Sequence, residues 1–141
     1  MIAAYHRPKT IDEALTLLQR SGVKSCPLAG GTSLSLYHPD ACEVVDLQSL
    51  ELNFVRREGD VLVVGAGTSL QKLFECEDTP LVLREVILRE KPLNVRNVAT
   101  LAGVLVCSGG RSVLATLLLA MDARLVRSEE HTSELQSPNT I

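Results

Sequence analysis

Apolar and polar positions alternate along this chain in several distinct periods, and each period predicts an element. Ile11, Ala14, Leu15 and Leu18 recur at helical spacing behind Thr10 and Glu13. A Thr and a Glu three residues apart form a capping box, in which side chains satisfy backbone N–H groups at a helix start. A helix is predicted over residues 11–21, with Gly22 as its stop. Residues 25–29 and 43–47 are short apolar runs that read as strands. Residues 53–57 and 61–65 flank Glu58, Gly59 and Asp60, a hairpin signature. A second capping box at Thr68 to Gln71 opens a helix to about residue 75. Thr79 as cap and Pro80 at the first helical position predict another, to about residue 90, where Pro92 forbids continuation. Residues 94–99 are expected to be an irregular connection and residues 100–107 a strand holding Gly103. Ser108, Gly109 and Gly110 form a turn before an apolar helix over residues 111–121, and a last strand starts at Ala123.

The pattern breaks at residue 127. Residues 1–126 hold 62 of the 64 apolar residues, and 13 basic against 14 acidic ones; residues 127–141 hold the remaining two, with one basic and three acidic residues. Most of the net charge of −3 therefore belongs to the last fifteen residues. Residues 127–138 resemble the translation of a common sequencing-adapter DNA, so 127–141 is expected to be a non-native polar tail. The layout before it is α+β, without internal repeats.

Composition narrows the chemistry. A mildly acidic chain with two Tyr, two Phe and no Trp suits neither nucleic acid nor base stacking. Cys26, Cys42, Cys76 and Cys107 form no C-x-x-C pair and have no His at ligand spacing, so no metal site is expected. Free thiols, the absence of a signal segment and apolar runs too short to span a bilayer point to a cytoplasmic location with no membrane span. No Ser–His or Cys–His arrangement and no G-x-S-x-G elbow emerges, so no catalytic side chain is expected. Of the dispersed arginines, Arg7 and Arg96, each beside a turn, are the candidates for a specific contact.

Two glycine segments remain. Leu28, Ala29, Gly30, Gly31, Thr32, Ser33 and Leu34 follow a buried strand; adjacent glycines allow a nest of N–H groups for a phosphate, or simply a tight turn. Thr100, Leu101, Ala102 and Gly103, with Ser108 to Gly110 before the helix at Arg111, offer a second anion-friendly place or a closely packed strand. Gly65, Ala66 and Gly67 do not make a Rossmann fingerprint, because Leu70 stands at the third glycine and the strand before them belongs to a hairpin.

Order and spacing of these segments carry a resemblance. Tyr5, His6, Arg7 and Pro8, then Glu13, Ala14, Leu17 and Leu18, are similar to the opening of the FAD-binding subunit of molybdenum hydroxylases, the xanthine dehydrogenase and carbon monoxide dehydrogenase family. Leu28 to Leu34 resembles that family's A-G-G-x-S-L loop. Val45, Asp46 and Leu47 resemble its I/V-D-L strand, and Val63 to Ala66 its I-G-A strand. Arg96 to Gly103 resembles R-N-x-A-T-I-G-G, and residues 117–123 an L-L-A-L-D-A helix end.

The resemblance implies two small α/β lobes around FAD: residues 1–55, and residues 56–126 with the second lobe incomplete. It assigns cofactor binding to Leu28, Ala29, Gly30, Gly31, Thr32, Ser33 and Leu34, and to Thr100, Leu101, Ala102 and Gly103. It implies a flavin that takes electrons from an iron–sulfur subunit, beside a molybdopterin subunit, and delivers them to NAD or another acceptor. Three positions depart from the pattern. Ala102 crowds a place usually given to Gly. Val104 replaces the Asn of G-G-N, and Val113 stands where an Asp is common, leaving Arg111 as a phosphate contact. These favour an alternative, a degenerate scaffold without flavin. Other two-lobed FAD enzymes, the peptidoglycan-precursor reductases and covalent-flavin oxidases, fit less well: no His is placed for flavin attachment. As the front part of a longer subunit, the chain alone is expected to bind FAD poorly or not at all and to be inactive.

Overall fold

The structure, a computed structural model, describes residues 1–34, 41–126 and 132–134. Its N-terminal half is built on three parallel strands, β1 (Ile2–His6), β2 (Ser25–Leu28) and β3 (Cys42–Asp46), in the order β1-β3-β2. Strand β3 is central: Tyr5 pairs with Val44 on one side and Cys26 with Val44 on the other. The central position explains its burial, with Val44 and Val45 closed off from solvent. Helix α1 (Ile11–Leu18) lies on this sheet through Ala14, Leu17 and Leu18, which pack with Val45, Leu47, Leu50 and Leu52 into a first core.

The second half begins with a hairpin, β4 (Val55–Glu58) and β5 (Val61–Val64), paired antiparallel around a two-residue turn at Gly59 and Asp60. Gly59 has a φ of +62°, the left-handed conformation such a turn demands. Helices α2 (Leu70–Glu75), α3 (Leu81–Glu90), α4 (Leu93–Arg96), α5 (Leu101–Cys107) and α6 (Val113–Ala120) follow. Leu70, Leu73, Leu83, Ile87, Ala99, Val104 and Leu114 form a second core, to which Val55, Leu62 and Val64 of the hairpin add. Strand β6 (Arg124–Val126) pairs antiparallel with β7 (Thr132–Glu134); the remainder of the polar tail lies outside the described residues. Among the described residues no helix is long and apolar enough to cross a membrane.

Several elements differ from their sequence reading. Residues 100–107 are not a strand but the cap and body of α5. A short apolar run does not distinguish strand from buried helix by period alone. Thr100 decides it here, its hydroxyl accepting the Gly103 N–H at 3.1 Å as an N-cap. Residues 94–99, expected to be irregular, include the single helical turn α4. The cap of α2 is Ser69, which accepts from Lys72 N at 3.2 Å, and not Thr68. Thr68 is fully buried and donates its hydroxyl to Phe54 O at 2.8 Å, tying the hairpin to the helix layer.

Thr79 likewise donates to Leu73 O at 2.6 Å, so α3 starts one residue late, with Pro80 in the cap position. Helix α6 starts at Val113 behind a Ser112 cap rather than at Arg111. Helix α1 ends at Leu18, three residues before its predicted end. Its capping box is present with one shift: Glu13 reaches the N–H of Lys9, the residue before the cap. Strand β1 had no prediction, because its pattern of exposed and half-buried residues is that of a sheet edge.

Candidate functional site

The ends of five chain segments converge on a cleft of about 380 Å³ between the two cores. Ala29 and Gly30 reach it from the end of β2, and Leu47 and Gln48 from the end of β3. Leu52 and Asn53 come from the approach to β4, and Gly67 and Ser69 from the turn between β5 and α2. Asn97, Val98 and Thr100 come from the link between α4 and α5. The first two segments leave adjacent parallel strands at their C-terminal ends, the place where open α/β sheets present ligand crevices.

Backbone packing explains why the segments meet. Gly30 lies against the Val98–Ala99 peptide so tightly that a Cβ on it would sit 1.8 Å from the Val98 carbonyl oxygen. Gly65 is pressed on Leu52 in the same way, a Cβ there falling 2.2 Å from Leu52 O, while Gly67 runs beside Leu52 less tightly and its N donates to Leu52 O at 2.9 Å. Leu47 N donates to Leu28 O at 2.8 Å, and the Gln48 side-chain amide donates to Ala29 O at 3.1 Å. Gln48 is held in turn by buried Asp46, whose Oδ1 accepts the Gln48 N–H at 2.9 Å. The same carboxylate accepts from the Tyr5 hydroxyl and lies 3.7 Å from the Arg7 guanidinium. The hydrogen bond to Asp46 pushes the Tyr5 phenol above its ordinary pKa, because the carboxylate favours a phenol that keeps its proton.

The lining is apolar at Leu47, Leu52 and Val98 and carries carboxamides at Gln48, Asn53 and Asn97, with hydroxyls at Ser69 and Thr100. No charged side chain is among these residues. Among the described residues no partner is found for the backbone N–H groups of Gly30, Thr32 and Ser33. Of these, Gly30 is in the cleft lining.

The second segment behaves differently. At the start of α5, Leu101 N donates to Thr68 O at 2.9 Å and Ala102 N to Ala66 O at 3.3 Å. Gly103 N is taken by the Thr100 side chain. The N–H groups that the sequence offered to an anion here are spent inside the protein.

Of the predicted cofactor residues, Ala29, Gly30 and Thr100 line the cleft; Leu28, Gly31, Thr32, Ser33 and Leu34 flank it within the same segment, and Leu101, Ala102 and Gly103 form the first turn of α5. Val104 points into the second core, so replacing a carboxamide there removes no donor from the cleft. Arg111 is exposed and outside the lining. Gly109 and Gly110 are exposed with positive φ and also stand apart from it. Arg96 is buried in a structural role: it donates to the Gln71 side chain and to Lys91 O, each at 3.0 Å, and its guanidinium lies 5.8 Å from the Phe74 ring centre.

Leu47, Gly67, Ser69, Asn97 and Val98 stand in segments that the sequence reading quoted for other reasons. Asn53 likewise stands in the predicted hairpin, whereas Gln48 and Leu52 carried no signal, because only the fold brings them to the cleft.

The four cysteines are free. Burial, with the neighbouring Cys42 thiol second, pushes the Cys26 thiol upward and makes it a poor nucleophile. Among the described residues no group of three His, Cys, Asp or Glu side chains could hold a metal ion.

Comparison with known proteins gives a consistent set of relatives. Residues 1–137 match the family described as the FAD binding domain in molybdopterin dehydrogenase. YgfM, an uncharacterized protein of Escherichia coli K12, is 33% identical over 138 residues, covering 96% of this chain and 53% of that one. The carbon monoxide dehydrogenase medium chain of Afipia carboxidovorans is 34% identical over 110 residues, 70% of this chain and 37% of its own length. Among solved structures, the carbon monoxide dehydrogenase of Hydrogenophaga pseudoflava superposes with a TM-score of 0.81 at 28% identity, covering 94% of this chain and 50% of that one. The chain spans about half the length, or less, of the relatives it matches.

Proposed function

The chain belongs to the family of FAD-binding domains in molybdopterin dehydrogenases, and from that premise we propose that its cleft holds part of an FAD and that it serves as the flavin component of a molybdenum hydroxylase. The observation that carries this reading is the seating of Gly30 on the Val98 carbonyl. That contact brings the two glycine segments to one cleft, with Gly30 in its lining and, among the described residues, no partner for the Gly30 N–H.

The residues present fit such a group. Among the described lining residues none carries a cation, so backbone N–H groups such as that of Gly30 are the donors on offer to a pyrophosphate. Leu47, Leu52 and Val98 give apolar walls that exclude water from a ring. The hydroxyls of Ser69 and Thr100 accept backbone N–H bonds from Lys72 and Gly103, which leaves each hydroxyl proton able to donate into the cleft. When bound, FAD supplies reversible one- and two-electron transfer. The chain's own part is to bind, orient and shield.

Within a complete complex, the proposed partners are an iron–sulfur subunit that delivers electrons and a molybdopterin subunit that oxidises the substrate. NAD or another acceptor takes the electrons onward, and the complex is placed in the cytoplasm. The medium chains of carbon monoxide dehydrogenases among the relatives support the reading as one component of a multi-subunit complex. The competing reading, a scaffold without flavin, rests on Val104 and Val113; of these Val104 packs in the second core.

An equilibrium titration of the 141-residue chain with FAD, read by flavin fluorescence and by the visible band of the bound cofactor, tests the proposal. Weak but saturable binding at one site is expected. A response that stays linear up to about 1 mM FAD would sink it in favour of the scaffold.

A further inference from the structure

We infer that Gln48, held by Asp46, is a positioning residue for the first glycine segment and thereby sets the affinity of the cleft for FAD. This rests on the FAD reading of the cleft. Three observations carry it. Buried Asp46 fixes the Gln48 backbone through the 2.9 Å bond to its N–H. The Gln48 amide then donates to Ala29 O at 3.1 Å, across two parallel strands and nineteen residues of sequence. Ala29 precedes Gly30, whose backbone is pressed against Val98 and whose N–H has no partner among the described residues.

The Ala29 carbonyl and the Gly30 N–H belong to one peptide plane. Fixing the carbonyl on the Gln48 side therefore fixes the direction of the N–H on the opposite side. The chain Asp46, Gln48, Ala29, Gly30 orients a donor that any pyrophosphate or ring acceptor in the cleft would meet. Leu47 adds a second brace through its N–H to Leu28 O, but that bond only continues the sheet ladder. Gln48 reaches past the end of β2 with its side chain.

The test compares wild type with Gln48→Ala and Gln48→Glu, and with Asp46→Asn, which keeps an oxygen able to accept the Gln48 N–H. Gln48 is exposed, so its variants fold; their melting temperatures should stay within a few degrees of wild type. Two readouts are taken: the FAD dissociation constant, and amide hydrogen exchange over residues 28–34 in the absence of FAD. Gln48→Ala should weaken FAD roughly three- to tenfold, as one lost hydrogen bond allows. It should also speed exchange over residues 28–34 while leaving α3 and α6 unchanged.

Gln48→Glu should weaken FAD more, since it swaps the donor for a charge that repels both the Ala29 carbonyl and a pyrophosphate. Asp46→Asn should stay near wild type in both readouts. Unchanged affinity and unchanged exchange in both Gln48 variants, with wild type binding FAD, would overturn the inference alone. Wild type that fails to bind FAD overturns the cofactor reading, and with it the role in affinity. The exchange measurement still decides, in that case, whether Gln48 orders the segment.

Discussion

Gly30 is the residue on which the site turns. Its φ is not in the left-handed region, so conformational freedom is not why glycine stands there; the reason is space. A methyl group 1.8 Å from the Val98 oxygen has to move one backbone against the other, and neither is the flexible end of a side chain. Gly30→Ala is therefore expected to cost about 1–3 kcal/mol of stability, as overpacking does, and to weaken FAD at least tenfold by opening the contact between the two segments. Chemical denaturation and an FAD titration of the same variant check both halves. Equal stability and equal affinity would show that the two segments are not locked together. The importance of adjacent glycines was legible in the sequence, because Gly30 and Gly31 follow an apolar run. Gln48 was not: an isolated glutamine after a strand has no local signature, and its meaning comes from Asp46 beneath it and Ala29 across from it.

At the scale of elements, sequence reading succeeded where one local signal ruled and failed where a tertiary contact overrode it. The hairpin and α1 obey their turn and cap residues. Thr68 and Thr79, equally good caps on paper, are drawn into bonds with Phe54 O and Leu73 O, and their helices start one residue later. Helix α5 was misread because its seven apolar residues have no polar side to reveal a period.

One tie between elements carries a pH dependence. Glu43 of β3 meets His6 of β1 at 2.9 Å and also bonds Arg20, just beyond α1, so one carboxylate joins an edge strand, the central strand and the helix. The hydrogen bond from His6, with Arg20 adding its charge, holds the Glu43 carboxyl below the ordinary carboxylate range against the opposing effect of burial. A depressed pKa means that the folded state favours the ionised form. The contribution is present above the ordinary range and is lost as pH falls through the folded value. Glu43→Gln should thus be less stable than wild type at neutral pH, and the gap should close as pH drops below the ordinary carboxylate range. Melting curves of both proteins from neutral to acid pH would show this; a gap independent of pH would mean that the carboxylate charge contributes nothing.

At the scale of the molecule, the two buried clusters share no residue. Ala14, Val45 and Leu50 centre one, and Leu70, Leu73, Leu83, Ile87 and Leu114 belong to the other. Contact between them runs through turn residues at the cleft: Gly30 on Val98, and Leu52 on Gly65 and Gly67. Such an arrangement has little apolar area to keep the halves in register, so a ligand seated in the cleft becomes a structural tie. The family resemblance announced a cofactor between two lobes, but not that the lobes would meet through glycine backbones, since close approach is a property of the packed chain.

Linkage gives the size of the effect: a ligand that binds only the folded state at about a hundred times its Kd stabilises it by about 2.7 kcal/mol. Because the cleft draws on both halves, the stabilisation is expected in both at once. Hydrogen exchange with and without saturating FAD should show added protection at residues 28–30 and 47–53 on one side and at residues 97–100 on the other. Protection confined to one side would place the ligand on a single lobe. Equal gains on both sides, abolished together by Gly30→Ala, would identify the cleft as the joint through which FAD holds the two cores as one body.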